Sequence, residues 1–315
     1  MSAKTLKWLG IATAALVAVW VLVSLVERGR ASGTGAAPLE VAAIVEELNP
    51  DALVGVRIAG PGDTLEILRT PQGWTVDGYA ADSASMSRLW DSVEKMEITG
   101  PVARNPANHE RMGVSGSAAW KVVFRTDGDS VALLVGRSGT PFGSAYVRLP
   151  GADEVYLLTG GLRTVLTRRR DDWRNKRIAA ADTSAVTRIE VTRGRDTYAV
   201  ERSDSTWTLK DDGLSGAEEP ADDDVVTRIL QELAGLDATG FWSADDSVAT
   251  LPEDGRILAL DADGDTLLDV HFGSGGMDRW ARVPGDSVIY RFPSWRLDRV
   301  APEPGKVRAK EGEGS

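Results

Sequence analysis

The chain repeats itself, and any fold it adopts has to be adopted twice. The segment VRIAGPGDTLEILRTPQGWTV (Val56 to Val76) aligns without a gap on IEVTRGRDTYAVERSDSTWTL (Ile189 to Leu209). Asp63-Thr64 meets Asp196-Thr197, and Trp74 meets Trp207. ADSASMSRLWDSVEKMEITG (Ala81 to Gly100) then answers ADDDVVTRILQELAGLDATG (Ala221 to Gly240). TDGDS (Thr126 to Ser130) answers ADGDT (Ala262 to Thr266), and VRLPGADEVYLL (Val147 to Leu158) answers ARVPGDSVIYRF (Ala281 to Phe292). Each copy is too long to be a solenoid unit, so each is expected to close a core of its own. The duplication places the first repeat at residues 40–166 and the second at 180–301.

Within a copy the period is that of short strands. LVGVRI, TLEILRT and WTV alternate apolar and polar residues between Gly and Pro turns. Asp82 or Ser83 can cap a helix whose apolar face carries Met86, Leu89, Trp90, Val93 and Met96. Val226, Ile229, Leu230, Leu233 and Leu236 fill those places in the second copy. WKVVFRT and SVALLVG follow, joined by the Asp-Gly turn of DGD, then SAYVRL and EVYLL, then a closing helix in LRTVLTRR. A mostly antiparallel sheet covered by helices is an α+β design, and two such domains in tandem are expected.

The amino terminus reads differently. From Trp8 to Val26 no residue is charged, and that run would span about 28 Å as a helix, close to the hydrocarbon thickness of a bilayer. A cleaved signal peptide would have a shorter apolar region and an A-x-A-like site; here the run ends in VERGR. Residues 1–28 are therefore expected to be a retained transmembrane helix, with a small-residue linker at 29–39. Lys4 and Lys7 precede the span and Arg28 and Arg30 follow it. Short amino-terminal tails of this kind stay in the cytoplasm, so the repeats are expected outside it, in the periplasm if the cell is Gram-negative. Residues 302–315 read as a disordered tail.

The pattern resembles the DUF4340 family of bacterial membrane-anchored proteins. The resemblance rests on the amino-terminal anchor, the strand pairs ending in GWTV and TWTL, the AD-led helix, the YVRLPGADEVYLL hairpin and the linking WRNKRI. Members are often encoded beside ABC transporters of the gliding-motility type. The resemblance implies an accessory role in the cell envelope, with transporter subunits as partners, and offers no catalytic residues to carry over.

The residues themselves argue little for catalysis. The net charge of −11 disfavours a nucleic-acid groove. The absence of cysteine removes disulfides, thiolate metal sites and a cysteine nucleophile. His109 and His271 occupy unmatched repeat positions, and neither has a second histidine or a cysteine at ligand spacing. GVSGS (Gly113 to Ser117) only superficially resembles a nucleophile elbow, and PGKV near Lys306 lacks the phosphate-loop spacing. DADGDTLLD (Asp261 to Asp269) begins like a calcium loop but has Thr266 where Gly is needed and Phe272 where Glu is needed. Its repeat partner TDGDS argues for a turn. Trp242, Trp280 and Trp295 have no evident core role, and the acidic GAEEPADDD (Gly216 to Asp224) reads as a loop and helix cap. No cofactor, no metal and no catalytic residue is assigned.

One segment breaks the balance of charge. LRTVLTRRRDDWRNKRI holds seven basic residues between Arg163 and Arg177 in an acidic protein. It is read as a junction at 167–179, with two readings. In the structural one, Trp173 and Ile178 plug between the halves while Asp171 and Asp172 pair with nearby arginines. In the functional one, Arg168, Arg169, Arg170, Trp173, Arg174, Lys176 and Arg177 meet anionic lipid headgroups or an acidic partner. The expected function is non-catalytic binding or scaffolding at the membrane. The alternatives are an anchored enzyme acting on an envelope polymer and a ligand-binding sensor module.

Overall fold

The computed structural model describes residues 44–45, 48–211, 218–243, 251–275 and 277–309. The apolar run Trp8 to Val26 and the linker after it lie outside the described residues. Among those described, no helix is long and apolar enough to cross a membrane.

The chain divides into two compact units, residues 1–175 and 176–315. In the first, nine strands form one antiparallel sheet: β1 (Gly55–Gly60), β2 (Asp63–Thr70), β3 (Gly73–Val76), β4 (Tyr79–Ala80), β5 (Ile98–Ala103), β6 (Trp120–Arg125), β7 (Ser130–Ser138), β8 (Ala145–Arg148) and β9 (Val155–Leu158). Their order across the sheet is β4-β3-β2-β1-β6-β7-β8-β9-β5. Among the described residues from Pro50 on, its α-helices are α1 (Ser83–Glu94), α2 (His109–Met112) and α3 (Leu162–Leu166).

The second unit carries β10 (Arg177–Ala179), β11 (Arg188–Arg193), β12 (Asp196–Ser203), β13 (Thr206–Asp211), β14 (Glu218–Pro220), β15 (Leu236–Asp237), β16 (Gly240–Phe241), β17 (Glu253–Leu260), β18 (Thr266–Gly275), β19 (Asp278–Arg282) and β20 (Tyr290–Pro293). Among the described residues its helices are α4 (Asp223–Leu233), α5 (Ser294–Val300) and α6 (Pro304–Val307). The large sheet runs β14-β13-β12-β11-β17-β18-β19-β20-β16, and β10 pairs with β15 beside it. Strand for strand, the two nine-stranded sheets have the same order. The duplication read from sequence is thus a duplication of topology.

The main helices form for the reasons the sequence gives. Asp82 accepts the amide of Ser85 at 2.7 Å and starts α1. Asp222 accepts those of Asp224 and Val225 at 3.0 and 3.1 Å and starts α4. Met86, Leu89 and Val93 of α1, with Met96 just beyond it, close over Val56, Ile67, Val122, Phe124 and Leu133 of the first sheet. Val226, Ile229 and Leu233 of α4 close over Val191, Val200, Ile257, Val270 and Phe272 of the second. Trp90 is only half-buried, packing on Trp74 with ring centroids 4.9 Å apart. Trp74 sits opposite Arg69 and Trp207 opposite Arg202, the guanidinium lying over the indole in both units.

The ends of the units differ from the limits read in sequence. After α3 the first unit continues to Asn175. Trp173 is 1 % exposed in the first core, its carbonyl accepts from Asp82, and Asn175 donates to Ala80. After α5 the second unit continues likewise. Val307 is fully buried, its carbonyl accepts from Asp222, and Ala309 donates to Pro220. Bridges Ala81–Arg174 and Ala221–Arg308 complete the match. The basic segment is therefore the repeat partner of the Pro-rich segment 301–309. Ordered structure reaches into what reads in sequence as a tail, because a buried apolar side chain there finishes the core. Trp173 and Ile178 likewise do not share one plug. Trp173 belongs to the first core and Ile178 to the second.

Candidate functional site

Two clusters of polar side chains bear on function. The first is the basic segment. Arg170 reaches back to the β1–β2 turn, where Nε lies 3.2 Å from Asp63 Oδ2 and Nη2 donates to the Thr64 carbonyl at 2.7 Å. It also pairs with Asp77. The Arg170 guanidinium, hydrogen-bonded to it, holds the Asp63 carboxyl below the usual carboxylate range, and Asp63 in turn raises the pKa of Arg170. Arg174 shares Asp77 at 3.5 Å and lies over the Tyr79 ring at 4.1 Å. Arg168 Nη2 donates to the Ser85 hydroxyl at 3.0 Å. Arg169 pairs with Asp172 at 3.4 Å but is 84 % exposed along its side chain. In the second unit, Arg177 pairs with Asp237 at 2.5 Å, and the Lys176 carbonyl accepts from Ala238 at 2.8 Å.

Each guanidinium of Arg168–Arg174 and Arg177 is thus engaged by its own unit. The pairing that sequence spacing suggested, Asp171 and Asp172 with their neighbours, holds for Asp172. The other acidic partners are Asp63 and Asp77, which lie far away in sequence. What remains outward is chiefly Arg169 and Arg177. Trp173 belongs to the core and is no part of a surface.

The second cluster corresponds to no motif in the sequence. On the outer face of the second sheet, His271 Nδ1 lies 2.6 Å from Glu253 Oε2, and Nε2 lies 3.2 Å from Asp269 Oδ1. Asp269 is held by a two-point pair with Arg256, both contacts 2.8 Å, and this holds its carboxyl below the usual range. Glu253 and His271 line an open cleft of about 290 Å³ with Arg282 and the turn Pro284-Gly285-Asp286. Arg282 lies over the Trp280 ring at 4.9 Å. Trp280 is buried across the bare backbone of Gly273, where a Cβ would come within 2.1 Å of the indole. Alternation along β18 alone, with Leu268, Val270 and Phe272 facing inward, places Asp269 and His271 together outside. The cross-strand partners Glu253 and Arg282 required the register.

Other sequence features fall into structural roles. Asp261 caps its own turn, accepting from Asp263 and Asp265 at 3.0 and 2.8 Å. His109 contacts the Asp153 carbonyl at 2.8 Å through Nε2. Trp242 donates to the Arg279 carbonyl at 3.3 Å and lies under Arg291, while Trp295 is 65 % exposed beside Arg299. Of GAEEPADDD, Glu218–Pro220 forms β14, Asp222 caps α4, and 216–217 lie outside the described residues. Among the described residues no three His, Asp or Glu side chains converge to hold a metal.

A family model described as a domain of unknown function, DUF4340, matches residues 71–254, more than half of the chain. This chain belongs to the DUF4340 family. The match starts at the β2–β3 turn and ends at the entry to β17, so it takes in α1, the basic segment and α4 of this DUF4340 protein. No curated protein and no solved structure matches the chain.

Proposed function

We propose that this DUF4340 protein is a membrane-anchored, extracytoplasmic binding and scaffold protein, an accessory component of an ABC-transporter-type envelope complex. The observation that carries the reading is the order of parts. An uncharged run from Trp8 to Val26 precedes two copies of one sheet domain. A single span would fix the protein at the bilayer, and two nine-stranded sheets offer broad faces. The polar cleft at His271 favours a second reading, a ligand-binding module, with the ligand on the second unit.

Full-length tagged protein, captured from its native host in mild detergent and read by mass spectrometry, tests the first reading. Transporter subunits should be recovered, and recovery should fall in the double variant Arg169→Gln, Arg177→Gln. These two arginines are outward and can be changed without opening a core. Recovery of the protein alone would reject the accessory role.

A further inference from the structure

The two units treat the same arginine differently. Arg148 ends β8 opposite Leu134, and Arg282 ends β19 opposite His271. Registers Val122–Leu133 and Ile257–Val270 make Leu134 and His271 equivalent, so Arg148 and Arg282 are repeat partners. In the first unit the residues between β5 and β6 cover this face. Met112 and Val114 pack on Val155, and a Cβ on Gly136 would lie 2.3 Å from the Met112 carbonyl. Arg148 is satisfied entirely by main chain there. Its Nε and Nη2 donate to the Val114 carbonyl at 3.2 and 2.9 Å, and Nη1 to that of Ala152 at 2.9 Å. Burial lowers the pKa of this guanidinium.

In the second unit Arg282 faces the 290 Å³ cleft. It has no carbonyl or carboxylate partner among the described residues. Glu253 engages His271 through Oε2 alone, leaving Oε1 to accept. A simple anion suits this cleft poorly, because Glu253 and Asp286 flank the arginine and repel it. A neutral amide chain presents carbonyls and N–H groups together, and so matches both.

We propose that this cleft docks a peptide segment of a partner protein, whose main-chain carbonyl accepts from Arg282 as those of Val114 and Ala152 accept from Arg148, while Glu253 accepts a main-chain N–H. The proposal deepens the binding reading above and rests on it only for the partner being a protein.

The probe is a random dodecapeptide display library, selected against the full chain in detergent. Selected peptides are synthesised, labelled and measured by fluorescence anisotropy. Affinity should fall at least tenfold in Arg282→Gln and several-fold in Glu253→Gln. It should not change in Arg299→Gln, an exposed arginine outside the cleft, and circular dichroism should find all three variants folded. Failure to select peptides, or binding indifferent to Arg282→Gln, overturns the proposal. So does Arg282-dependent binding of glycans but not peptides. Transporter capture that survives Arg282→Gln would leave the scaffold reading standing without this site. Peptide binding without transporter capture would leave the site standing without that reading.

Discussion

The indole of Trp120 lies over Gly60, so close that a Cβ on Gly60 would come within 2.3 Å of the ring. In the second unit the equivalent cross-strand pair is Arg193 facing Gly255. The bulky residue has moved to the opposite strand and the glycine with it. Two copies of one sheet have thus solved the same crowded position in mirrored ways. Arg193 uses the freed side to pair with Asp298 at 2.7 Å and to donate to the Ala301 carbonyl at 3.1 Å.

This makes Gly60 and Gly255 unequal. Gly60→Ala should destabilise the first unit by about 1–3 kcal/mol, because the Trp120 ring must leave its place. At Gly255 the nearest neighbour of an added Cβ is 3.4 Å away. Gly255→Ala should therefore change stability by less than about 1 kcal/mol. With two units unfolding, hydrogen exchange resolved to β1 and β17 is the suitable measurement. Equal costs in both would refute the asymmetry.

Trp173 and Val307 finish their respective cores, and removing them should show it. Trp173→Ala should cost about 3–5 kcal/mol through the cavity it leaves. Tyr198 supports the second unit's end in another way, its buried hydroxyl donating to the Pro302 carbonyl at 2.7 Å. Burial raises the pKa of that hydroxyl. Tyr198→Phe should cost about 1–2 kcal/mol by leaving the carbonyl unpaired. Truncation after Ala301 should cost more than Tyr198→Phe, since it removes Val307 as well. Urea unfolding curves that do not move on truncation would return residues 302–309 to a dispensable tail.

The legible part of the fold was the part that repeats. Period-2 strands, the Asp82 and Asp222 caps and the helix faces at Met86 and Val226 follow from local pattern, and two copies of each reinforce the reading. The unit ends were not legible, because only WRN and VRA correspond there, and three residues carry no period. The partners of Arg170 were hidden for a different reason. Asp63 and Asp77 meet it only through strand register and chain return, which spacing does not encode. His271 is inconspicuous in the sequence because its neighbours Glu253 and Arg282 come from adjacent strands. A residue without sequence company acquires it in a sheet.

The pairing of Arg170 with Asp63 gives a pH dependence with a definite sign. The folded-state pKa of Asp63 is depressed below its unfolded value of 3.8. Its contribution is fully present above that value and is lost as the pH falls through the folded one. The loss therefore belongs to the acid side, below about pH 4. The Asp63 side chain is 54 % exposed, so solvent screening limits the contribution to less than about 1 kcal/mol. Asp63→Asn should lower the neutral plateau of the first unit's stability curve by less than about 1 kcal/mol and flatten its acid limb to match. An acid limb identical in both proteins would assign the acid sensitivity elsewhere.

Gly136 tests whether the outer face of the first unit is closed by fit or by accident. The main chain of Met112-Gly113-Val114 rests on it, and a Cβ would lie 2.3 Å from one carbonyl and 3.0 Å from the Gly113 carbon. Backbone cannot swing aside as a side chain can. Gly136→Ala should lift this segment, weaken the Arg148–Val114 bonds and cost about 1–3 kcal/mol. Exchange protection at Val114, whose amide donates to the His109 carbonyl at 3.0 Å, should fall while that of the β1–β6 ladder persists. The lifted segment would uncover Arg148 and give the first unit the open arginine that the second already has. Peptides selected on Arg282 should then gain a second, weaker site. A single site in Gly136→Ala, with exchange at Val114 lost, would mean that the arginine alone does not recognise main chain and that the His271–Glu253 pair is indispensable to it.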